Sequence, residues 1–152
     1  MRYLEDFSEG DRFVLGPRPV SEADIVGFAQ QFDPQPFHTE ATHPRTQAMG
    51  GLLASGWHSA ALFMAMAVDA YMADAAIVTS PGIDKLRWLA PVRPGDTLRG
   101  EVIITGVRRS QSKPDRGILT TSARLWQQAG IDVLSLETTA FVASNSNQPV
   151  DC

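Results

Sequence analysis

A long and mostly apolar stretch, SGWHSAALFMAMAVDAYMA, occupies residues 55–73. Ser55 has the residue type of a helix N-cap, and Asp69 is the first charged residue of the stretch. One apolar face at helical spacing contains Trp57, Ala60, Ala61, Met64, Ala65, Val68, Tyr71 and Met72, and the opposite face contains Leu62, Phe63 and Met66. The stretch therefore predicts a helix from Ser55 to about Ala73 that is wrapped by other structure.

From Pro81 onward the apolar pattern changes to a period of two, which is typical of half-buried strands. The clearest alternating sets are Leu119, Thr121, Ala123 and Leu125, and Leu134, Leu136, Ala140 and Val142. Turn-forming residues separate these strands, so the sequence predicts an α+β fold in which an antiparallel sheet surrounds one long apolar helix. We expect a single domain over residues 1–143 and a polar, frayed tail over residues 144–152.

Composition and charge narrow the possible partners of this 152-residue chain. Its net charge is −4, and the pair Arg108 and Arg109 is its densest basic group, so we expect no nucleic-acid partner. Cys152 is the single cysteine, so no internal disulfide is expected. The N-terminus lacks the pattern of a signal peptide, and the uncharged segment 46–68 is strongly apolar only over residues 60–68. These features predict a cytoplasmic protein without a membrane span.

A second, shorter helix is predicted ahead of a proline-rich segment. Ser21 and Asp24 form a capping-box pattern that is followed by apolar residues at helical spacing, which predicts a helix from about Glu22 to Gln31. The segment DPQPFH, residues 33–38, ends this helix, because proline lacks an amide hydrogen and disfavours helical geometry in the residue before it.

The same segment contains the densest group of reactive side chains, Asp33 and His38. A carboxylate and an imidazole held on a stiff segment can share one water, with Asp33 accepting its proton and His38 orienting the water or donating. A purely structural interpretation competes with this one. Asp before Pro is a common helix-ending residue, and spacing alone favours the structural interpretation because short motifs arise often by chance.

The start of the long helix is the second candidate site. Free N–H groups at a helix N-terminus can stabilise a carbonyl oxygen that becomes negative during a reaction, and Gly56 would allow a close approach. Alternatively, Ser55 is only an N-cap and Gly56 only relieves crowding, which is the favoured interpretation for this pattern alone. The three histidines lack the i, i+4 helical spacing of a zinc-binding pair, so no metal site is expected.

Taken together, these segments resemble the MaoC-like hydratases, which have the hot-dog fold. The similarity lies in SEADIVGFA (residues 21–29), the Asp33-x-Gln-Pro-x-His38 segment, the SGWH start of the long helix, and RWLAPVRPGDTL (residues 87–98). The opening LEDFSEGD, residues 4–11, is also similar. The resemblance covers nearly the whole chain, from about Tyr3 to Ala143.

The resemblance implies (R)-specific hydration of a trans-2-enoyl thioester, or the reverse dehydration. By that resemblance Asp33 is the base that takes a proton from water, and His38 holds the water and helps to pass a proton to the α-carbon. Gly56, with Ser55 beside it, would bind the thioester oxygen. The family chemistry needs no metal or redox cofactor, and coenzyme A would enter as part of the substrate.

The resemblance also implies a homodimer in which two five-stranded sheets join edge to edge. Three positions depart from the common family pattern, because Gln35 stands where Asn is usual, Ser55 stands where His is usual, and a family serine aligns with Ala61. Lys85, Arg87 and Arg93 offer positive charges for the coenzyme A phosphates, although isolated basic residues near strand ends are usually just solvated.

Two other functions fit the same fold. A hot-dog thioesterase would hydrolyse the acyl-CoA, and such enzymes commonly carry their carboxylate on the central helix, where Asp69 is the candidate. A non-catalytic protein that binds acyl thioesters would follow if Gln35 and Ser55 had remade the pocket.

Overall fold

A computed structural model describes residues 1–145 as one antiparallel sheet with helices packed against it. The helices are α1 (Glu22–Phe32), α2 (Pro36–Thr39), α3 (Pro44–Ala48) and α4 (Gly56–Ala70), with short 3-10 turns at Leu4–Asp6 and Met72–Asp74. The strands are β1 (Arg12–Pro19), β2 (Ile77–Trp88), β3 (Thr97–Arg109), β4 (Arg116–Trp126) and β5 (Asp132–Ala143).

The sheet has five strands in the order β1-β3-β4-β5-β2, and all neighbours are antiparallel. Along β4 the predicted period of two is confirmed, because Leu119, Thr121, Ala123 and Leu125 are buried. Ser122 and Arg124 lie between them and are exposed. The buried side chains of the sheet and of α4 belong to the same core, so the predicted α+β architecture with a sheet around a long helix is confirmed.

Helix α4 packs on the sheet with one of its two apolar faces, whereas the sequence pattern predicted a helix wrapped by other structure. Its buried apolar side chains are Leu62, Phe63, Met66 and Ala67, whereas Trp57, Met64 and Val68 of the predicted face are exposed. The helix is thus not wrapped on all sides within one chain. It also ends at Ala70 instead of about Ala73, because Tyr71 leaves helical geometry with φ −156° and a 3-10 turn follows.

Helix α1 follows the sequence prediction closely. Ser21 and Asp24 form the capping box, with the Ser21 hydroxyl accepting from the Asp24 amide and the Asp24 carboxylate accepting from the Ser21 amide, each at 3.0 Å. The helix stops at Phe32, and Pro36 then starts the one-turn helix α2, which the sequence analysis did not predict. Proline suits the first helical position because the amide there needs no intrahelical acceptor.

Strand β2 forms one edge of the sheet, and nearly all of its residues are exposed. Ile83 and Trp88 of this strand are 43% and 48% exposed, and Met64 of α4 lines a small cavity together with Ile83. One chain therefore leaves apolar surface uncovered along this edge.

No helix within residues 1–145 is both long and apolar enough to cross a membrane.

The start of the C-terminal tail is held in place. Ser144 donates its amide to the Asp115 carbonyl at 2.9 Å and its hydroxyl to Glu5, and the Asn145 amide donates to Glu5 at 3.0 Å. Ser144 and Asn145 thus bind the opening turn of the chain, and fraying of the tail stays a prediction. Residues 146–152 lie outside the described part of the chain.

Candidate active site

Asp33 and His38 meet at the junction of α1 and α2. Asp33 is the C-cap of α1, and His38 is in the single turn of α2 that Pro36 starts. The short connection between the helices folds the chain back, so that Nε2 of His38 lies 3.3 Å from Oδ2 of Asp33. His38 is buried, and the side chain of Asp33 is about one-fifth exposed. The structure thus brings the predicted acid-base pair into contact.

The other ring nitrogen of His38 fixes its proton arrangement. Nδ1 lies 2.6 Å from the carbonyl oxygen of Leu53, and a carbonyl can only accept a hydrogen bond, so Nδ1 carries the proton. In the neutral ring Nε2 is then an acceptor that faces the carboxylate of Asp33. Nε2 and Oδ2 of Asp33 are then two hydrogen-bond acceptors 3.3 Å apart, and neither can donate to the other. This arrangement suits a molecule that can donate protons to both.

Both carboxylate oxygens of Asp33 also accept from neutral side chains. The Gln35 amide donates to Oδ1 at 2.8 Å, and the Ser55 hydroxyl donates to Oδ2 at 2.7 Å. Burial opposes ionisation of Asp33, but these two hydrogen bonds and the nearby His38 outweigh it and lower the pKa of Asp33 below its usual value of 3.8. Asp33 is therefore an ionised carboxylate at neutral pH.

Ser55 is completely buried and connects the pair to α4. Its oxygen accepts from the Trp57 amide at 3.3 Å, which confirms Ser55 as an N-cap, while its hydrogen goes to Asp33. The hydroxyl is occupied by these two partners and does not line the cavity described next. The structure places Ser55 as a support of Asp33 and not at a surface that a ligand can touch.

A cavity of about 610 Å³ lies beside the pair and the start of α4. His38, Gly56, Ser59, Trp88 and Arg93 contribute its polar or aromatic lining. Its apolar walls come from Ala48, Met49, Leu53, Ala54, Leu89, Ala90, Pro91 and Val92. Asp33 is not part of this lining, but it contacts His38, which is. A mostly apolar cavity with a few convergent polar groups is the usual form of a small-molecule site.

Gly56 occupies the first position of α4, where an amide has no acceptor within its own helix. The indole of Trp88 packs flat against this residue, since a Cβ at position 56 would lie 2.4 Å from the ring. The indole N–H of Trp88 also donates to the Gly56 carbonyl at 2.8 Å. Glycine is required here by the close approach of Trp88, and Gly56 lines the cavity.

Other residues considered from the sequence lie elsewhere. Asp69 is exposed near the far end of α4, roughly 20 Å along the helix axis from Gly56. His43 caps α3 by accepting from the Arg45 amide at 3.2 Å. His58 stacks on Phe28 with ring centroids 4.7 Å apart, and its Nδ1 has no partner. Burial, opposed by Asp24 and assisted by Arg18, lowers the pKa of that imidazole.

The three basic residues considered for the coenzyme A phosphates already have partners within the chain. Lys85 pairs with Glu137 at 3.0 Å, and Arg87 donates to its neighbour Leu86. Arg93 donates to backbone carbonyls of the segment that precedes α4.

Residues 1–145 contain no cluster of three or more His, Cys, Asp or Glu side chains arranged to hold a metal ion.

Sequence reasoning missed the parts of the site that come from distant segments. Leu53 acts through its carbonyl, which any residue type would provide, so no sequence signal reveals it. Trp88 lies at the end of an edge strand and contacts Gly56, which is 32 positions earlier in the chain. The one sequence signal for this contact is the glycine at the start of a helix, which leaves room for a bulky aromatic side chain. The glycine does not reveal which aromatic residue of the chain packs there.

The fold agrees with the comparison to known proteins. The chain belongs to the MaoC-like dehydratase family, because residues 8–126 match the family described as MaoC like domain. This confirms the resemblance and the hot-dog fold inferred from the sequence.

Individual relatives place the chain more closely within the family. It is 32% identical to the (R)-specific enoyl-CoA hydratase of Rhodospirillum rubrum over 108 residues, which cover 70% of this chain and 72% of the relative. The crystal structure of a MaoC-like dehydratase from the same organism superposes with a TM-score of 0.86 and 37% identity, covering 95% of this chain and 99% of that one. A Mycobacterium tuberculosis protein with a double hot-dog fold superposes with a TM-score of 0.71 and 18% identity, covering 97% of this chain and 46% of that one.

Proposed function

We propose that this protein catalyses the (R)-specific hydration of trans-2-enoyl-CoA, or the reverse dehydration of a 3-hydroxyacyl-CoA. The observation that carries the proposal is the contact of Asp33 with His38 at 3.3 Å beside a largely apolar cavity that also contains the Gly56 helix start. The hydratase relative from Rhodospirillum rubrum supports the choice of substrate and stereochemistry.

In the proposed reaction one water molecule adds across the carbon-carbon double bond. The ionised Asp33 accepts a proton from the water while Nε2 of His38 accepts the second hydrogen bond and holds the water. The water oxygen bonds to C3, and the π electrons move towards the thioester and form an enolate. The proton then passes from the pair to the α-carbon, so the Asp33–His38 pair returns to its original protonation state.

The amide of Gly56 is proposed to stabilise the enolate oxygen. It is the first amide of the 15-residue helix α4, so it adds the positive end of the helix dipole to its own hydrogen bond. A single donor of this kind contributes about 2.7–4 kcal/mol in a well-studied hydrolase. Ser55, whose hydroxyl is already used, acts by fixing Asp33 in this scheme. The addition of water changes no oxidation state overall, so the reaction requires no redox cofactor.

We also propose that the protein works as a homodimer that covers the β2 edge. The outer side of β2 has no neighbouring strand, and Val78 and Ile83 of this strand are 46% and 43% exposed. Met64 and Val68 add exposed apolar surface on α4. An open edge of this length with apolar side chains invites pairing with another chain. We propose that a second copy of this chain covers the edge. The mycobacterial protein, which has a double hot-dog fold, supports this choice.

The test follows the enoyl-thioester absorbance with crotonyl-CoA and a panel of longer and branched enoyl-CoAs, beside an assay for free thiol. We expect the absorbance to fall without thiol release, and the product to be the (R)-3-hydroxyacyl-CoA on chiral analysis. Asp33→Asn keeps the size of the side chain but removes the base, so it should lower kcat at least about 100-fold. His38→Gln should cause a comparable loss.

Asp69→Asn is the matched control, because this exposed carboxylate lies on α4 away from the cavity. It should leave hydration unchanged. Thiol release that disappears in Asp69→Asn would instead identify a thioesterase. Binding of acyl-CoA with neither a fall in enoyl absorbance nor a release of thiol would identify a non-catalytic binding protein. An active Asp33→Asn variant would refute the mechanism.

A further inference from the structure

We infer that Arg93 is a positioning residue for His38, and that it acts through the backbone of residues 49–53. This inference rests on the proposed role of His38 in hydration. Arg93 lies in the loop between β2 and β3, and its side chain reaches back to the segment that connects α3 to α4. The ring of His38 takes its orientation from the same segment.

The guanidinium of Arg93 holds three backbone carbonyls at once. Nη1 donates to the carbonyls of Gly51 at 2.8 Å and Leu52 at 3.3 Å, and Nη2 donates to that of Met49 at 2.7 Å. The Arg93 amide donates to the Asp96 carboxylate at 2.8 Å, which anchors the loop that carries the side chain. A planar guanidinium can address several acceptors in fixed directions, whereas the ammonium of lysine is a point charge.

The amides of residues 49–51 bond to carbonyls at the end of α3, and Arg93 supplies the donors to carbonyls of the same segment. Gly50 and Gly51 both have positive φ, +80° and +114°, in a conformation that other residues rarely adopt. Neither glycine has a side chain that could pack against the fold. The bonds from Arg93 therefore restrict a stretch of backbone to which two glycines give more conformational freedom than other residue types would.

Leu53, the next residue of the chain, connects the restrained segment to the active site. The Leu53 amide donates to the Phe37 carbonyl at 3.1 Å, and the Leu53 carbonyl accepts from Nδ1 of His38 at 2.6 Å. Ala54 then bonds to the Val92 carbonyl at 2.8 Å, directly before Arg93. Loss of the guanidinium would release the 49–52 backbone, move the Leu53 carbonyl and turn Nε2 of His38 away from Asp33.

The first experiment measures hydration by Arg93→Ala, Arg93→Lys and the matched control Arg99→Ala, which removes an exposed arginine of β3. We expect kcat to fall roughly 10- to 100-fold in both Arg93 variants, since small displacements of a catalytic group have effects of this size, with little change in KM. Added guanidinium ion at low millimolar concentration should partly restore kcat of Arg93→Ala and leave Arg99→Ala unchanged.

A second substrate distinguishes a phosphate-binding role of Arg93 from the positioning role. An enoyl-pantetheine thioester has the same reacting atoms as enoyl-CoA but lacks its phosphates. If Arg93 positions His38, the variants lose the same factor in kcat with both substrates. A loss that is confined to KM and to enoyl-CoA would overturn the inference and assign Arg93 to the phosphates.

The second experiment does not depend on activity, so it separates a failure of this inference from a failure of the proposed function. In protein labelled with ¹⁵N-histidine, the His38 Nδ1 proton should give a slowly exchanging, downfield NMR signal, assigned through its loss in His38→Gln. We expect the signal to broaden or vanish in Arg93→Ala and in the more conservative Arg93→Gln, at unchanged overall fold. An unchanged signal in a folded Arg93 variant would overturn the inference.

Discussion

At the scale of single residues, the environment of Asp33 is set by the positions that depart from the common family pattern. Gln35 donates to one carboxylate oxygen and Ser55 to the other, and both donors are neutral. They stabilise the ionised form and leave the carboxylate fixed in direction. The two donors thus keep Asp33 an ionised carboxylate at neutral pH.

The pKa of Asp33 gives a prediction with a definite sign. Removing the hydroxyl in Ser55→Ala takes away a donor to the charged form, so the pKa of Asp33 should rise towards its usual value of 3.8. The acidic limb of the kcat profile should therefore move to higher pH. The profile is measured with crotonyl-CoA from the lowest pH at which both proteins stay folded, below pH 3.8, alongside the wild type.

Loss of an N-cap also destabilises a helix by about 1 kcal/mol, so a cap control is needed. Ser21 caps α1 in the same way but does not contact Asp33. Ser21→Ala should lower the melting temperature and leave the acidic limb in place. A shift of equal size in both variants would show that the effect comes from general destabilisation.

Asp33 also links stability to pH. Because its pKa is lower in the folded chain than in the unfolded one, ionised Asp33 stabilises the fold above its usual pKa of 3.8. This contribution is lost as the pH falls through the lower folded value. The wild type should therefore lose stability on acidification more steeply than Asp33→Asn, as followed by thermal unfolding between pH 3 and 6.

At the scale of elements, the start of α4 and the end of β2 depend on each other. A Cβ at position 56 would lie 2.4 Å from the Trp88 ring, and the ring donates to the Gly56 carbonyl. Gly56→Ala should cost about 1–3 kcal/mol of unfolding free energy through this overlap and should lower kcat by displacing the helix start. Chemical denaturation and the hydration assay measure the two effects.

A second substitution tests the cause. Trp88→Leu removes the ring from Gly56, so the double variant Gly56→Ala/Trp88→Leu should lose less stability than the sum of the two single losses. Additive losses would mean that the alanine acts on the helix alone.

The elements also show what the sequence can and cannot reveal. The capping box of α1 and the Ser55 cap of α4 are local patterns, so they predicted the starts of both helices. The prediction that α4 is wrapped by other structure is wrong for one chain, because the whole helix is apolar and its periodicity does not show which side the sheet covers. The one-turn helix α2 was missed because two prolines suggested an extended segment.

At the scale of the whole molecule, the apolar face of α4 and the open β2 edge form a surface that one chain leaves uncovered. We predict a homodimer by size-exclusion chromatography with light scattering. Ile83→Glu places a charge at the exposed apolar edge and should shift the protein towards monomer. Ile131→Glu, at a residue that is 53% exposed in the β4–β5 turn, is the control and should leave the dimer intact. A wild-type monomer would refute the prediction.

The family pattern predicted the Asp33–His38 pair because its residues are close in the sequence. The remaining parts of the site depend on long-range folding. Leu53 reaches His38 from 15 residues away, and Trp88 reaches Gly56 from 32 residues away. Contacts of this kind depend on the packing of the connection against β2, which single-sequence patterns do not encode.

The position of Trp88 makes the site observable by light. Its indole lines the cavity, contacts the first residue of α4 and lies 5.3 Å from the Trp57 ring. A ligand that enters beside Gly56 changes the polarity around this indole and therefore its emission. With Trp57 and Trp126 replaced by Phe, Trp88 would be the sole tryptophan of the chain. Fluorescence titration of that variant would rank acyl chains by affinity before any turnover is measured.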